Sequence, residues 1–362
     1  MSEAWPGARE WLALSLVPGL GFRRLRRLRQ SKAAWPDGWL AALSVEQRSY
    51  LRYLLRADVG RELLDPMLAW LEHGEARHLL HPGHPRWPPL LDEIDDPPAL
   101  LWGWGDLDAL ELPCIAVVGS RRPSRDGLRH AMDFSARLAA GGFAVVSGMA
   151  KGIDGAAHLG ALEAKGRSIA VLGCGVDVLY PRQHARLRER LLAEGGLLLS
   201  ELPPATPAHA GHFPRRNRLV TGLSQGVLVI EAAMRSGSLI SARLALEQNR
   251  EVFALPGALD DPRVQGCLWL IQEGARLVTR ADELFDEFSG RLSLAPVAAA
   301  EPDAMGEGGP LLALLGESPV PLDALVERAA LDVSRCAAML QALEIEGRVL
   351  RRPGGWVRRH EG

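Results

Sequence analysis

Apolar residues recur at helical spacing over Glu10 to Leu16, Gly21 to Gln30, Ser44 to Leu55 and Arg61 to Glu72, which predicts a helical block over residues 1–80. A proline-rich passage follows, with Trp87-Pro88-Pro89 and Asp96-Pro97-Pro98, and reads as a boundary or a wrapped extended segment. Over 81–290 the pattern alternates. Short apolar runs at Cys114 to Val118, Phe143 to Val146, Ser168 to Leu172, Leu197 to Ser200, Val227 to Ile230 and Glu251 to Leu255 predict strands buried on both faces. Amphipathic helices separate them, such as Ser124 to Ala140, capped by Ser124 and stopped by Gly141-Gly142. Strand alternating with helix predicts βαβ units and a parallel sheet. Ligands of such sheets sit beyond the carboxyl ends of the strands.

Residues 291–310 are rich in Ala, Pro, Gly and acidic side chains without a period, and read as a linker. Over 311–360, helices near Leu311 to Leu315, Leu322 to Ala330 and Ser334 to Glu346 precede a hairpin, Arg348 to Leu350 with Gly355 to Arg358, around Pro353-Gly354. That is the element order of a winged helix.

With 362 residues and 47% hydrophobic content, the chain has material for two or three ordinary cores. Its net charge of −2 removes any argument from bulk basicity, so an anionic polymer would have to be met by local patches. The cysteines (Cys114, Cys174, Cys267, Cys336) are scattered and show no C-x-x-C spacing, which fits buried thiols in a reducing compartment rather than disulfides or a zinc site. No signal-peptide pattern and no membrane-spanning apolar run is present, so a soluble cytoplasmic protein is expected.

Four strand ends carry polar signals. Gly119-Ser120-Arg121-Arg122 combines close backbone approach, a hydroxyl and a guanidinium fork, and reads equally as a phosphate contact or an ordinary turn. In Gly148-Met-Ala-Lys-Gly152, two glycines and Lys151 precede a helix with Asp154 placed to cap it, an arrangement that favours an anion. The spacing fits neither the dinucleotide fingerprint nor the P-loop. Asp154 and His158 share a helix face, but with no third ligand in view a cap and a packing histidine read better than a metal pair. Third, Pro207-Ala-His-Ala-Gly-His-Phe-Pro-Arg-Arg-Asn-Arg218 holds two histidines and no acidic residue, and joins the aromatic face of Phe213 to Arg215, Arg216 and Arg218, which cannot all point one way. It reads as a single-strand contact or a solvated basic loop. Fourth, Ser236-Gly237-Ser238 opens a helix after strand-end Glu231, a carboxylate that reads better as an anchor than as an acid or base. Outside the sheet, Arg23, Arg24, Arg26, Arg27 and Arg29 follow Pro18-Gly-Leu-Gly21, resembling a single helix-hairpin-helix element but read as a solvated face. The winged-helix segment balances basic and acidic residues at seven each from Leu311 to Gly362, which makes it a poor duplex binder.

Together the ordered motifs resemble the DNA-processing protein A family (DprA, also called Smf): Ile115-Ala-Val-Val-Gly-Ser-Arg121, Ser147-Gly-Met-Ala-Lys-Gly-Ile-Asp154, Ala170-Val-Leu-Gly-Cys-Gly175, Tyr180-Pro181, Phe213-Pro-Arg-Arg-Asn-Arg218, Val229-Ile-Glu231, Ser236-Gly-Ser-Leu-Ile240 and Leu255-Pro-Gly257. The resemblance implies an α/β chain. An extended Rossmann-like parallel-sheet core would sit between a small helical, SAM or helix-hairpin-helix-like, N-terminal domain and a C-terminal winged helix. It also implies single-stranded DNA binding and delivery of the recombinase RecA to strands entering in natural transformation, on strands coated by single-strand-binding protein, by a homodimer. The expected contacts are Gly119, Ser120, Arg121, Gly148, Lys151, Gly152, Phe213, Arg215, Arg216, Asn217, Arg218, Ser236, Gly237 and Ser238, with no catalytic residue, cofactor or metal. The competing reading is a nucleotide-processing hydrolase of the lysine-decarboxylase-like (LOG) type. Leu244 stands where its catalytic glutamate would be. A third reading is an adaptor acting through its winged helix alone.

Overall fold

The computed structural model describes residues 6–31, 34–288, 311, 314–316, 319–329, 333–345, 348–352 and 355–358. Six short helices open the chain: α1 (Ala8–Ser15), α2 (Phe22–Gln30), α3 (Asp37–Ala41), α4 (Val45–Leu54), α5 (Ala57–Leu63) and α6 (Asp65–Glu72). Their apolar faces converge, and Trp11, Leu14, Leu25, Trp39, Leu51 and Leu64 are buried. A reciprocal cap starts α4: Ser44 Oγ accepts the Gln47 N–H at 3.2 Å, and the Ser44 N–H donates to Gln47 Oε1 at 3.3 Å. The stretch expected as one helix over Arg61 to Glu72 is divided between α5 and α6. Pro66 sits in the first turn of α6, where a missing N–H is harmless.

Next come β1 (Arg77–Leu80), β2 (Leu101–Gly105), β3 (Cys114–Gly119), α7 (Arg125–Ala140), β4 (Ala144–Ser147), α8 (Ile153–Glu163) and β5 (Ser168–Val171). They are followed by α9 (Ala185–Ala193), β6 (Leu197–Ser200), α10 (His212–Gly222), β7 (Gly226–Ile230), α11 (Gly237–Glu247), β8 (Glu251–Ala254), α12 (Gln265–Gln272), β9 (Arg276–Leu277) and α13 (Asp282–Phe288). The nine strands form one sheet in the order β1-β2-β6-β5-β4-β3-β7-β8-β9. From β6 to β9 every pairing is parallel. The chain moves outward from β3 first to β4, β5 and β6, then returns to lay β7 on the other side of β3. This reversal creates a crevice at the carboxyl ends of β3 and β7.

Alternation along the buried strands feeds two separate cores. Ala116 and Val118 of β3 face one with Leu219, Val220 and Ala242, whereas Ile115 and Val117 face the other with Phe134, Leu138 and Ala157. Helices α10 and α11 thus cover one face and α7 and α8 the opposite one.

Two edge strands depart from the sequence expectation. Residues 77–80 fall in the expected helical block, and 101–105 carry no expected element, yet β1 and β2 pair antiparallel with each other and β2 with β6. Leu-Trp-Gly-Trp-Gly lacks the β-branched residues that mark a strand. Its pairing comes instead from register, Trp102 opposite Ser200 and Gly105 opposite Leu197. Gly105 has φ +122°, and any Cβ there would run into the Gly196 carbonyl. The helices and the sheet fall in one compact unit, Met1–Ala295. Trp102 joins the two: it belongs to the sheet but is buried among the helical-block residues, with its ring 6.0 Å from Trp70 in an edge contact.

The second compact unit, Pro296–Gly362, has helices Leu322–Ala329 and Val333–Ile345 and an antiparallel pair, Val349–Arg352 with Gly355–Arg358. Leu325, Cys336, Leu340, Leu343 and Val349 form its core. This is a winged helix. The expected linker at 291–310 and the turn at Pro353-Gly354 lie outside the described residues. No helix among the described residues is long and apolar enough to cross a membrane.

Because Trp102 ties the helices to the sheet, Trp102→Ala should destabilise the protein by about 3–5 kcal/mol. Exposed Leu259→Ala should stay within about 0.5 kcal/mol of wild type. Urea unfolding followed by circular dichroism checks both.

Candidate functional site

Backbone crowding builds the crevice. Gly119 ends β3 so close to β7 that a Cβ there would collide with the Ile230 carbonyl. Beyond it Ser120 turns the chain: its Oγ accepts the Arg122 N–H at 3.1 Å, and its carbonyl accepts the Ile153 N–H at 3.1 Å. Gly152, at φ +81°, fits under that carbonyl, where any side chain would clash. The two loops are therefore locked together before any side chain acts.

Asp154 has a different job from the one its sequence position suggests. Gly152 is the N-cap of α8, and Asp154 lies in the first turn. Its carboxylate reaches back to accept the N–H groups of Gly148 (3.1 Å) and Ala150 (3.3 Å), which holds the Gly148–Gly152 loop in shape. Burial pushes its carboxyl above the usual range, with Arg216 pulling the other way. Arg216 is 6% exposed and donates to the carbonyls of Gly148 (2.7 Å) and Val171. Burial draws its guanidinium down to about 10, opposed by Asp154. The same helix face carries His158, whose Nδ1 meets Ser168 Oγ at 2.7 Å. Burial, with smaller contributions from His184 and Arg216, draws this imidazole down to about 3, so it is a neutral packing residue. Among the described residues no group of three potential metal ligands occurs.

A cavity of about 450 Å³ opens at this rim. Of the expected contacts, it brings together Gly119, Ser120, Arg121, Gly148, Arg216, Asn217, Ser236, Gly237 and Ser238. Arg121 and Arg122 are exposed there, and Lys151 projects from the adjoining loop. None of these three side chains makes a hydrogen bond or ion pair among the described residues. Ser236 is the N-cap of α11 but leaves the helix N–H groups unbonded, its Oγ meeting Ser238 Oγ at 2.8 Å instead. The crevice thus offers free cations, hydroxyls and open N–H groups, with Asp154 as its lone carboxylate among the described lining residues. Glu231, the other strand-end acid, is spent on structure: it accepts from the N–H (2.8 Å) and Oγ of Ser124 at the start of α7.

Lys151, Gly152, Phe213, Arg215 and Arg218 do not line the cavity. Arg218 is buried and turned away, with Nη2 2.6 Å from Glu201 and Nε 2.7 Å from the Asp96 carbonyl. The basic run is therefore divided by helical geometry: Arg215 is exposed, Arg216 is buried beneath the loop, and Arg218 reaches from α10 to Glu201 and Asp96 of neighbouring segments. Phe213 is half-buried over Gly173, its ring 5.1 Å from that of Tyr180, which is 47% exposed. Two residues absent from the expected set adjoin members of it. Arg122 directly follows the motif and lines the cavity, and Tyr180 supplies the aromatic face that Phe213 supports.

The family model described as DNA recombination-mediator protein A matches residues 78–289, and that of the DprA winged helix domain matches 295–355. Protein Smf of Escherichia coli K12 is 45% identical over 305 residues, covering 82% of this chain and 81% of its own. The DNA processing protein DprA of Streptococcus pneumoniae is 47% identical over 198 residues, 55% of this chain and 70% of its own. The solved structure of DprA from S. pneumoniae superposes with a TM-score of 0.66 at 34% identity, covering 78% of this chain and 98% of that one. That of DNA processing protein A from Helicobacter pylori, reported for its single-stranded DNA binding mode, gives 0.54 at 31%, covering 60% and 97%.

Removing Arg216 strands two buried carbonyls and takes from Asp154 the larger of the opposing charges, leaving only the weaker one of Arg121. Arg216→Met should therefore cost about 3–5 kcal/mol, and Asp154→Asn in the same chain should recover part of it. His158 has a depressed folded value, so its contribution is complete above its ordinary 6.5 and is lost as pH falls toward about 3. Over that window it should add about 1.4 kcal/mol per pH unit to the loss of stability, a slope that His158→Gln removes in denaturation curves.

Proposed function

Since the chain belongs to the DNA recombination-mediator protein A family, we propose that its crevice binds the backbone of single-stranded DNA and that the bound strand is handed to the recombinase RecA. The observation that carries this reading is the set of unpaired cations, Arg121, Arg122 and Lys151, beside the open N-terminus of α11 at the β3/β7 rim. Phosphates lie along this rim, one against Ser236, Gly237 and Ser238 and others against the arginines and Lys151. Contacts to phosphate make binding tolerant of sequence and sensitive to salt. Single strands are preferred because an unpaired base can stack on Tyr180, which Phe213 backs. Arg216 serves by fixing the Gly148 loop and adding charge beneath it, and Arg218 by bridging Glu201 and Asp96 and so offsetting part of their negative charge beside α10. Two copies of the chain pair as a homodimer, so a long strand spans two crevices and gains avidity. RecA loads onto this strand, including strands coated by single-strand-binding protein.

A binding role is favoured over glycosidic hydrolysis by the carboxylates. Asp154 is occupied by two backbone N–H groups, Glu231 caps α7, and Leu244 fills the position a LOG-type enzyme gives to glutamate.

Arg121→Ala and Lys151→Ala should each weaken binding of a fluorescent oligonucleotide roughly tenfold to a hundredfold, the loss of one charge-assisted contact of about 1.5–3 kcal/mol. The wild type should favour single over double strands, and RecA assembly on coated strands should lag with either variant. Unchanged affinity in both variants would remove the crevice as the DNA site.

A further inference from the structure

The five arginines of α2 divide by partner. Leu25 and Leu28 turn inward, and Arg26 and Arg29 anchor the helix to the proline-rich passage: Arg26 donates to the Asp92 carbonyl, and Arg29 to the Pro82 carbonyl and the Asp92 carboxylate. Arg23, Arg24 and Arg27 are different. All three are exposed and line a separate open cleft of about 420 Å³ against Asp95, Asp96 and Pro97. Arg23 reaches only the Asp95 carbonyl, at 3.4 Å, while Arg24 and Arg27 have no hydrogen-bond or ion-pair partner among the described residues.

Fold stability does not explain this second set. Arg24 and Arg27 are three apart and so stacked on one helix face, where like charges repel. Arg23 and Arg24 also sit in the first turn, at the positive end of the helix dipole, which disfavours cations. An anion in the cleft relieves both.

The cleft adjoins the crevice through α10. Asn217 of α10 lines the crevice, while Arg218, the next residue, binds the carbonyl and carboxylate of Asp96, which lines the α2 cleft. Arg218 is shared between Asp96 and Glu201, so Asp95 and a partly compensated Asp96 face three arginines. Exposed Arg215 lies on the same helix, three residues before Arg218.

We propose that Arg23, Arg24 and Arg27 form a second phosphate-contacting surface, onto which a single strand leaving the β3/β7 crevice passes across α10. This inference rests on the crevice holding single-stranded DNA. Its occupant is the sugar–phosphate backbone, because the cleft offers charge without an aromatic side chain among its described lining residues.

The test uses the full-length protein, one oligonucleotide of about six nucleotides that fills the crevice, and one of about thirty that extends past it. In Arg24→Ala/Arg27→Ala, the salt dependence of binding to the long strand should flatten by about 1.4 in log–log slope, two phosphates at roughly 0.7 each. Affinity for the short strand should stay at the wild-type value, and Arg24→Lys/Arg27→Lys should restore the long-strand slope. The melting temperature should not fall, since the substitution removes repulsion and no contact. An unchanged long-strand slope, with wild-type protein binding both lengths, overturns this proposal alone and assigns the patch to an acidic protein segment. Equal loss on both lengths also overturns it. If the wild type binds neither length, the crevice reading fails and takes this one with it.

Discussion

The guanidinium of Arg216 is the tie on which the rim depends. It rises from α10, bonds the carbonyl that begins the Gly148 loop and the carbonyl that ends β5, and balances the buried carboxylate that bonds the same loop from the other side. A buried charge is expensive unless every partner is present. Here the Arg216 cation bonds two carbonyls and the Asp154 anion two N–H groups across three elements, while the Arg216 Nε stays buried without a partner among the described residues. The loop bearing Lys151 is held from both sides by these bonds and from beneath by buried Met149, so the exposed cations are displayed from a rigid base.

A chain of net charge −2 presents a basic rim because its acids are used up locally. Glu231 is held by Ser124, Glu201 and Asp96 by Arg218, and Asp92 by Arg29. Arg121, Arg122 and Lys151 are left without such partners. The surface potential follows from which charges are paired, a quantity that composition cannot report.

Much of this was legible in the sequence. The six strands from β3 to β8, with the exception of nothing but their end residues, follow uninterrupted apolar runs, because strands buried on both faces admit little else. The motif glycines also declared themselves: Gly119 and Gly152 stand where backbone meets backbone. What escaped depended on partners distant in sequence. β2 acquires its identity from pairing with β6 and β1 from pairing with β2, and in β2 strand-favouring Trp alternates with strand-disfavouring Gly, which leaves no clear propensity signal. Asp154 looked like a cap because local spacing cannot show a side chain turning back to the preceding loop. Within Phe213–Arg218, composition announced a basic loop, but the turn of α10 decides which arginine is exposed and which is buried.

Glu231 has one more consequence. By bonding the first N–H and hydroxyl of the Ser124 turn, it places a fixed counter-anion at the positive end of α7. Among the helices that begin beside the crevice, α7 thus arrives already charge-compensated and α8 carries Asp154 in its first turn, whereas α11 begins with its amides open. The mouth is electrically lopsided in its backbone: the uncompensated helix amides stand on the α11 wall alone.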